Sequence, residues 1–148
     1  MPKNRNILKK LGEFLYPSSD LDPENLQRLD TADSDRFLGR MDNPDTAGVI
    51  QGPCGDSMEF YMMIHNGVIS EIKYYTDGCE NTRAAGNSVA RRALGKTIKA
   101  ALRINPAEII DAGEIPDKDG HHCAILAVST FYRAIVIYLL RTEQNQKN

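Results

Sequence analysis

The chain has 148 residues, 41% of them hydrophobic and 26% charged, with a formal net charge of −2. That length supports one domain with a core of its own, and the near-neutral charge, without a basic run interleaved with aromatics, argues against nucleic acid as the main partner. No apolar stretch approaches the ~20 residues of a membrane span, and Met1-Pro2-Lys3-Asn4-Arg5 lacks the apolar core of a signal peptide, so a cytoplasmic protein with no membrane partner and with reduced thiols is expected.

The first 45 residues differ in pattern from the rest and are expected to form an N-terminal helical extension, with the main domain over 46–148. Ile7, Leu8, Leu11, Phe14 and Leu15 recur at helical spacing, Pro17-Ser18-Ser19 ends that helix, and Asp22-Pro23-Glu24 resembles a second helix start. A polar stretch, Thr31 to Asp45, follows.

From Thr46 the pattern turns to strand: Ala47 to Gln51, Met58 to Ile64, and Val68 to Thr76. His65-Asn66-Gly67 is the hairpin turn. A two-residue loop would pair Phe60 with Lys73 and put a charge on the apolar face. A three-residue loop with Gly67 left-handed pairs Ile64 with Val68, Phe60 with Ile72 and Met58 with Tyr74, and sets Glu59 against Lys73. The three-residue loop is therefore expected. In that register Asp56 faces Thr76, and Cys54 and Cys79, 25 positions apart, meet at the open end of the hairpin.

Helices fill the remainder. Asn81 to Leu94 carries Ala84, Ala85, Val89, Ala90 and Ala93, with Gly95 as C-cap. Ile98 to Ile104 and Ala107 to Asp111 are separated by Asn105-Pro106, and Gly113 to Gly120 is loop. The last helix, Ala124 to Leu140, aligns Val128, Phe131, Tyr132, Ile135, Tyr138 and Leu139 on one stripe. The fold class is α+β, a small three-stranded antiparallel sheet against a layer of helices.

Three cysteines stand in three different settings: Gly52-Pro53-Cys54-Gly55-Asp56, Gly78-Cys79-Glu80 and His121-His122-Cys123-Ala124. An odd count cannot close into disulfides, and Asp56 and His122 add ligand chemistry beside two of them. Cys79 and Cys123 fall at predicted helix starts, where unpaired N–H groups and the macrodipole favour a thiolate. Gly52, Gly55 and Gly78 permit tight turns and close backbone approach. Three thiolates with one Asp or His complete a zinc site or hold a two-iron, two-sulfur cluster. Cys54, Asp56, Cys79, His122 and Cys123 are the candidate site residues. A rival class is a zinc-dependent enzyme, or one with Cys123 as nucleophile and His122 as base. Against it, adjacent His and Cys side chains are expected to diverge, and no carboxylate general base accompanies them.

Pro53-Cys54-Gly55-Asp56, Gly78-Cys79 and His122-Cys123-Ala124-Ile125-Leu126-Ala127 resemble the iron–sulfur cluster assembly scaffolds of the NifU N-terminal and IscU type. The resemblance runs from about Gly48 to about Leu140. It implies a binding and transfer scaffold rather than an enzyme. The three cysteines would ligate a transient [2Fe-2S] cluster, with Asp56 keeping it labile and His122 an additional or alternate ligand. It also implies a cysteine desulfurase as sulfur donor, iron as a bound metal, apo iron–sulfur proteins as acceptors and a possible homodimer, with zinc able to occupy the same thiolates. The Leu-Pro-Pro-Val-Lys segment found in members served by a specialised chaperone is here Glu114-Ile115-Pro116-Asp117-Lys118.

Overall fold

Alternating apolar residues make three strands, and the computed structural model, which describes residues 36–53 and 55–147, arranges them as an antiparallel sheet in the order β1-β2-β3. β1 is Thr46–Gln51, β2 Ser57–His65 and β3 Val68–Thr76. The helices are α1 (Glu80–Ala93), α2 (Ile98–Ala101), α3 (Pro106–Asp111) and α4 (His121–Lys147), with a 3₁₀ turn at Lys118–Gly120. This is the expected α+β architecture. The expected N-terminal helices lie outside the described residues. The compact unit that contains the sheet starts at Phe37, which is buried, and Tyr74 of β3 exchanges backbone hydrogen bonds with Phe37 and Gly39.

The hairpin register differs from expectation, and the reason is a bulge. His65 pairs with Val68 across a two-residue Asn66-Gly67 turn, both residues with positive φ (52° and 74°), the combination a type I′ turn requires. Between Met63 and Ile64 the pairing shifts: Ile64 faces Ile69 while Met63 faces Glu71, so Ser70 is the extra residue. That single insertion removes the objection to the short loop. Phe60 pairs with Tyr74, Met62 with Ile72 and Met58 with Thr76, so beyond the bulge the inward faces are those expected with pairings displaced by two, whereas beside the turn Ile69 takes the inward place expected of Val68. Glu59 faces Tyr75 rather than Lys73, and it accepts a hydrogen bond from Arg40 Nε at 3.1 Å.

The inward face carries Met58, Phe60, Met62, Ile72 and Tyr74, all essentially buried, and packs against α1 and α4. Phe60 meets Phe131 of α4 edge-on at 5.8 Å and Tyr74 at 6.2 Å. Two glycines allow the layers to close. A Cβ at Gly48 in β1 would lie 2.7 Å from the Ala134 nitrogen and 2.8 Å from the Thr130 carbonyl, and one at Gly86 in α1 would strike the Tyr74 ring. Beside Gly48, Thr46 Oγ1 donates to the Ala134 carbonyl at 2.6 Å, which ties the strand to the helix.

Helix ends follow their capping residues. Thr97 and Asn105 accept from the N–H groups of Ala100 and Glu108, with Pro106 at the first helical position of α3. Gly95, at φ +80°, follows α1 as expected. The segment expected to be helical to Ile104 stops at Ala101 and turns into the Asn105 cap. α4 begins three residues earlier than expected and continues to Lys147, and Leu139, expected on its buried stripe, is 42% exposed. Contrary to the sequence reading, the segment Lys118–Gln146 is long and apolar enough for a membrane span by length and composition. Half of its apolar window is buried in the fold, as befits a core helix.

At the C-terminal end of α1, Arg92 donates to Glu114 and Glu108, and Arg91 also reaches Glu114. These arginines line a basic cleft with Lys96, Arg103 and Glu108. Burial alone would raise the Glu114 carboxyl, but hydrogen bonds from Arg92 and Ser88 and the charges of both arginines hold it below the usual range. A carboxyl depressed by folding stabilises above its unfolded pKa and loses that contribution as pH falls through the folded value. The urea midpoint is therefore expected to hold from pH 7 to about 5 and to fall below about 4. Glu114→Gln should remove about 1 kcal/mol at pH 7 and flatten part of that acid limb. A variant with an unaltered midpoint and acid limb would show that the pair is neutral.

Candidate functional site

β2 and β3 run out at one end of the sheet, and the chain turns there into α1. Ser57 at the start of β2 donates from both its N–H (2.9 Å) and its hydroxyl (3.1 Å) to Asp77 Oδ1, so the residues before β2 lie beside those after β3. The Ser57 bonds hold the Asp77 carboxyl below its ordinary value. Gly78 makes the contact close: a Cβ there would lie 2.8 Å from Asp56 Oδ2 and 2.8 Å from Thr82 Oγ1. With the register displaced by two, Asp56 lies next to Gly78 rather than Thr76. The loop before β2 is closed by Gly52 N–H to Asp56 O at 2.7 Å, with Gly55 at φ +91°. Cys54, which this loop carries, lies outside the described residues, so its expected meeting with Cys79 does too.

Cys79 is the N-cap of α1 and exposed. The Thr82 N–H, with the Asn81 N–H, lowers its thiol from the ordinary value, against burial and the Asp56 charge. This is the helix-start effect expected from sequence. Cys123 lies within the first turn of α4, not ahead of it, and is 1% exposed.

Thr82 joins these groups. Its hydroxyl donates to Asp56 Oδ2 at 3.0 Å and lies 3.4 Å from Cys123 Sγ and 3.7 Å from Cys79 Sγ. Thr82 is wholly buried. The third residue after an N-cap points back over the helix start, so a threonine at that offset from Cys79 is the signal by which sequence could have found it. His122 is exposed, with Nε2 3.6 Å from Cys123 Sγ. The expectation that the two side chains diverge is overturned, because the imidazole folds back along the first helical turn. His65 lies at the far end of the hairpin.

Asn81 was also missed. Its Oδ1 accepts from the Asp117 N–H at 3.3 Å, its Nδ2 donates to Asp117 Oδ2 at 3.4 Å, and its side chain fills the space over Gly120, where a Cβ would lie 2.5 Å away. This clamp joins the Cys79 end of α1 to the segment leading into His122-Cys123. Among the described residues no three His, Cys, Asp or Glu side chains are gathered into a group that could hold a metal ion. Cys79, Cys123 and Asp56 instead converge through one hydroxyl, and His122 adjoins Cys123. The donor set, thiolates with a carboxylate and an imidazole, suits zinc or iron–sulfur chemistry.

Comparison with known proteins identifies relatives in sequence and in fold. An iron–sulfur cluster assembly scaffold protein of Archaeoglobus fulgidus, IscU 1, is 34% identical over 114 residues, 76% of this chain and 74% of that protein. IscU of Escherichia coli K12 is 29% identical over 120 residues, 78% of this chain and 93% of the relative. In fold, the chain matches a NifU-like N-terminal structure from Brucella abortus at a TM-score of 0.53 and 17% identity, covering 67% of this chain and 82% of that one. It matches an iron–sulfur scaffold candidate for the SUF system from Fervidobacterium islandicum at 0.57 and 20%, covering 71% and 92%. Residues 23–145 match the family described as NifU-like N terminal domain, and the chain belongs to that family.

Proposed function

We propose that this protein is a scaffold on which an iron–sulfur cluster is assembled and from which it is passed to apo-proteins, with no turnover chemistry of its own. The observation that carries it is the convergence of Asp56, Cys79 and Cys123 on the Thr82 hydroxyl, at the end of the sheet where the Cys54 loop is anchored. The cluster, of the [2Fe-2S] type, is cargo. Cys54, Cys79 and Cys123 supply its thiolate ligands, Asp56 the exchangeable oxygen ligand, and His122 an alternate nitrogen ligand. A cysteine desulfurase supplies sulfur, and the reducing cytoplasm keeps the thiols available. Zinc occupies the same donors when no cluster is being built, and two copies associate as a homodimer. Family membership and the scaffold function named for the relatives support this reading.

The contact between His122 and Cys123 is the one observation that favours the nucleophile alternative. It is outweighed by family membership and by the scaffold function named for the relatives. Anaerobic incubation with iron, cysteine and a desulfurase is expected to yield visible sulfur-to-iron charge-transfer bands, lost in Cys79→Ser. A wild-type protein that stays colourless with its thiols reduced would overturn the scaffold function.

A further inference from the structure

We propose that Thr82 is a positioning residue whose single hydroxyl proton holds the Asp56 carboxylate in register with the Cys79 and Cys123 sulfurs. The inference rests on the metal-site reading above. A hydroxyl has one proton to give and two lone pairs to receive. An ionised carboxylate can only accept, so the 3.0 Å contact to Asp56 Oδ2 takes the proton of Thr82. Towards the Cys123 sulfur at 3.4 Å the oxygen then acts as acceptor, receiving its S–H in the metal-free protein, while the Cys79 sulfur lies 3.7 Å from the same oxygen and accepts from the Thr82 and Asn81 N–H groups. The three contacts are thus compatible with one another, and each fixes the oxygen against the other two.

Three features make the arrangement specific. Thr82 is wholly buried, so no water replaces the bond if the hydroxyl is lost. Its methyl group has no alternative space, because Gly78 approaches so closely that even a Cβ there would be only 2.8 Å from both Thr82 and Asp56 Oδ2. Asp56 Oδ2 is thereby engaged, which leaves Oδ1 as the oxygen free to meet a metal. A group that orients a ligand without touching the metal characteristically changes affinity by about 10-fold or more when removed.

The experiment is Zn²⁺ competition against a chromophoric chelator, with the full chain and thiols reduced, paired with thermal unfolding of each metal-free variant. Thr82→Val keeps the shape and deletes the hydroxyl, and is expected to weaken Zn²⁺ binding about 10-fold, while Thr82→Ser stays within about threefold of wild type. In an Asp56→Ala background the same valine substitution should cost less than about threefold, because the carboxylate it would orient is gone. A folded Thr82→Val with wild-type affinity overturns the proposal, and so does an equal loss in the Asp56→Ala background. Should valine disturb the fold, Thr82→Ala carries the same expectations. Co²⁺ added to wild type separates the two levels: absence of sulfur-to-cobalt charge transfer removes the thiolate site and this proposal with it. Presence of the bands, with Thr82 variants indifferent, removes only the role of Thr82.

Discussion

Gly48→Ala is expected to be the most destabilising single-methyl change in the described fold, at about 3 kcal/mol. The added Cβ would lie 2.7 Å from the Ala134 nitrogen and 2.8 Å from the Thr130 carbonyl, both backbone atoms of α4. A side chain can rotate out of such a clash, but a helix backbone must translate. Moving α4 away from β1 would also stretch the Thr46 Oγ1 bond to the Ala134 carbonyl, itself worth about 1 kcal/mol in a buried setting. It would loosen the Phe60–Phe131 edge contact one pairing further into the sheet. For a domain of this size the loss corresponds to a fall of about 10 °C in melting temperature. Val49→Thr, on the exposed face of the same strand, is the control, with a change within about 0.5 kcal/mol. If calorimetry finds the two variants equal, the close approach is not limiting.

Much of this fold was legible because its signals are periodic. Alternation identified three strands, and Gly95 and Asn105-Pro106 marked helix ends locally. The pairing register was not legible, although its turn was: Asn66-Gly67 is a strong two-residue hairpin signal. It was set aside because a rigid ladder would have placed Lys73 opposite Phe60. A bulge at Ser70 resolves that conflict, and nothing in Val68-Ile69-Ser70-Glu71 announces one, because a bulge costs one unpaired residue and leaves the composition unchanged. The importance of Gly48 was hidden for a related reason. A glycine in a strand reads as weakness until the partner layer is known, and here it is the point where that layer touches.

The site divides the same way. The placement of Cys79 at a helix start followed from residue types in sequence, and the lowered thiol follows from that placement. Thr82 did not, since its role depends on Asp56 arriving from the loop before β2. Nor did the approach of His122 to Cys123, which is decided by a side-chain rotamer rather than by spacing. The chemistry of a shared site was thus visible in the identities of its members, whereas the hydrogen bonds that order them depend on the tertiary fold.

Asp56→Ala is expected to preserve cluster assembly and to slow its release to an apo-acceptor by about tenfold, equivalent to about 1.4 kcal/mol in the barrier. Asp56 is the only oxygen donor among the proposed ligands. A hard carboxylate among soft thiolates forms the bond most readily exchanged for an incoming thiol, and its charge adds to that of an already anionic site. Without it the fourth position falls to the nearest remaining donor, the imidazole of His122 beside Cys123. Neutral nitrogen relieves the charge and binds a borderline metal more persistently, so the cluster should linger. His122→Ala in the Asp56→Ala background should then restore rapid release, by leaving that position to solvent. Stopped-flow transfer to a [2Fe-2S] acceptor, monitored through its visible bands, measures all three proteins. Equal rates for wild type and Asp56→Ala would remove the releasing role from Asp56. A double variant as slow as Asp56→Ala would show that His122 does not take its place.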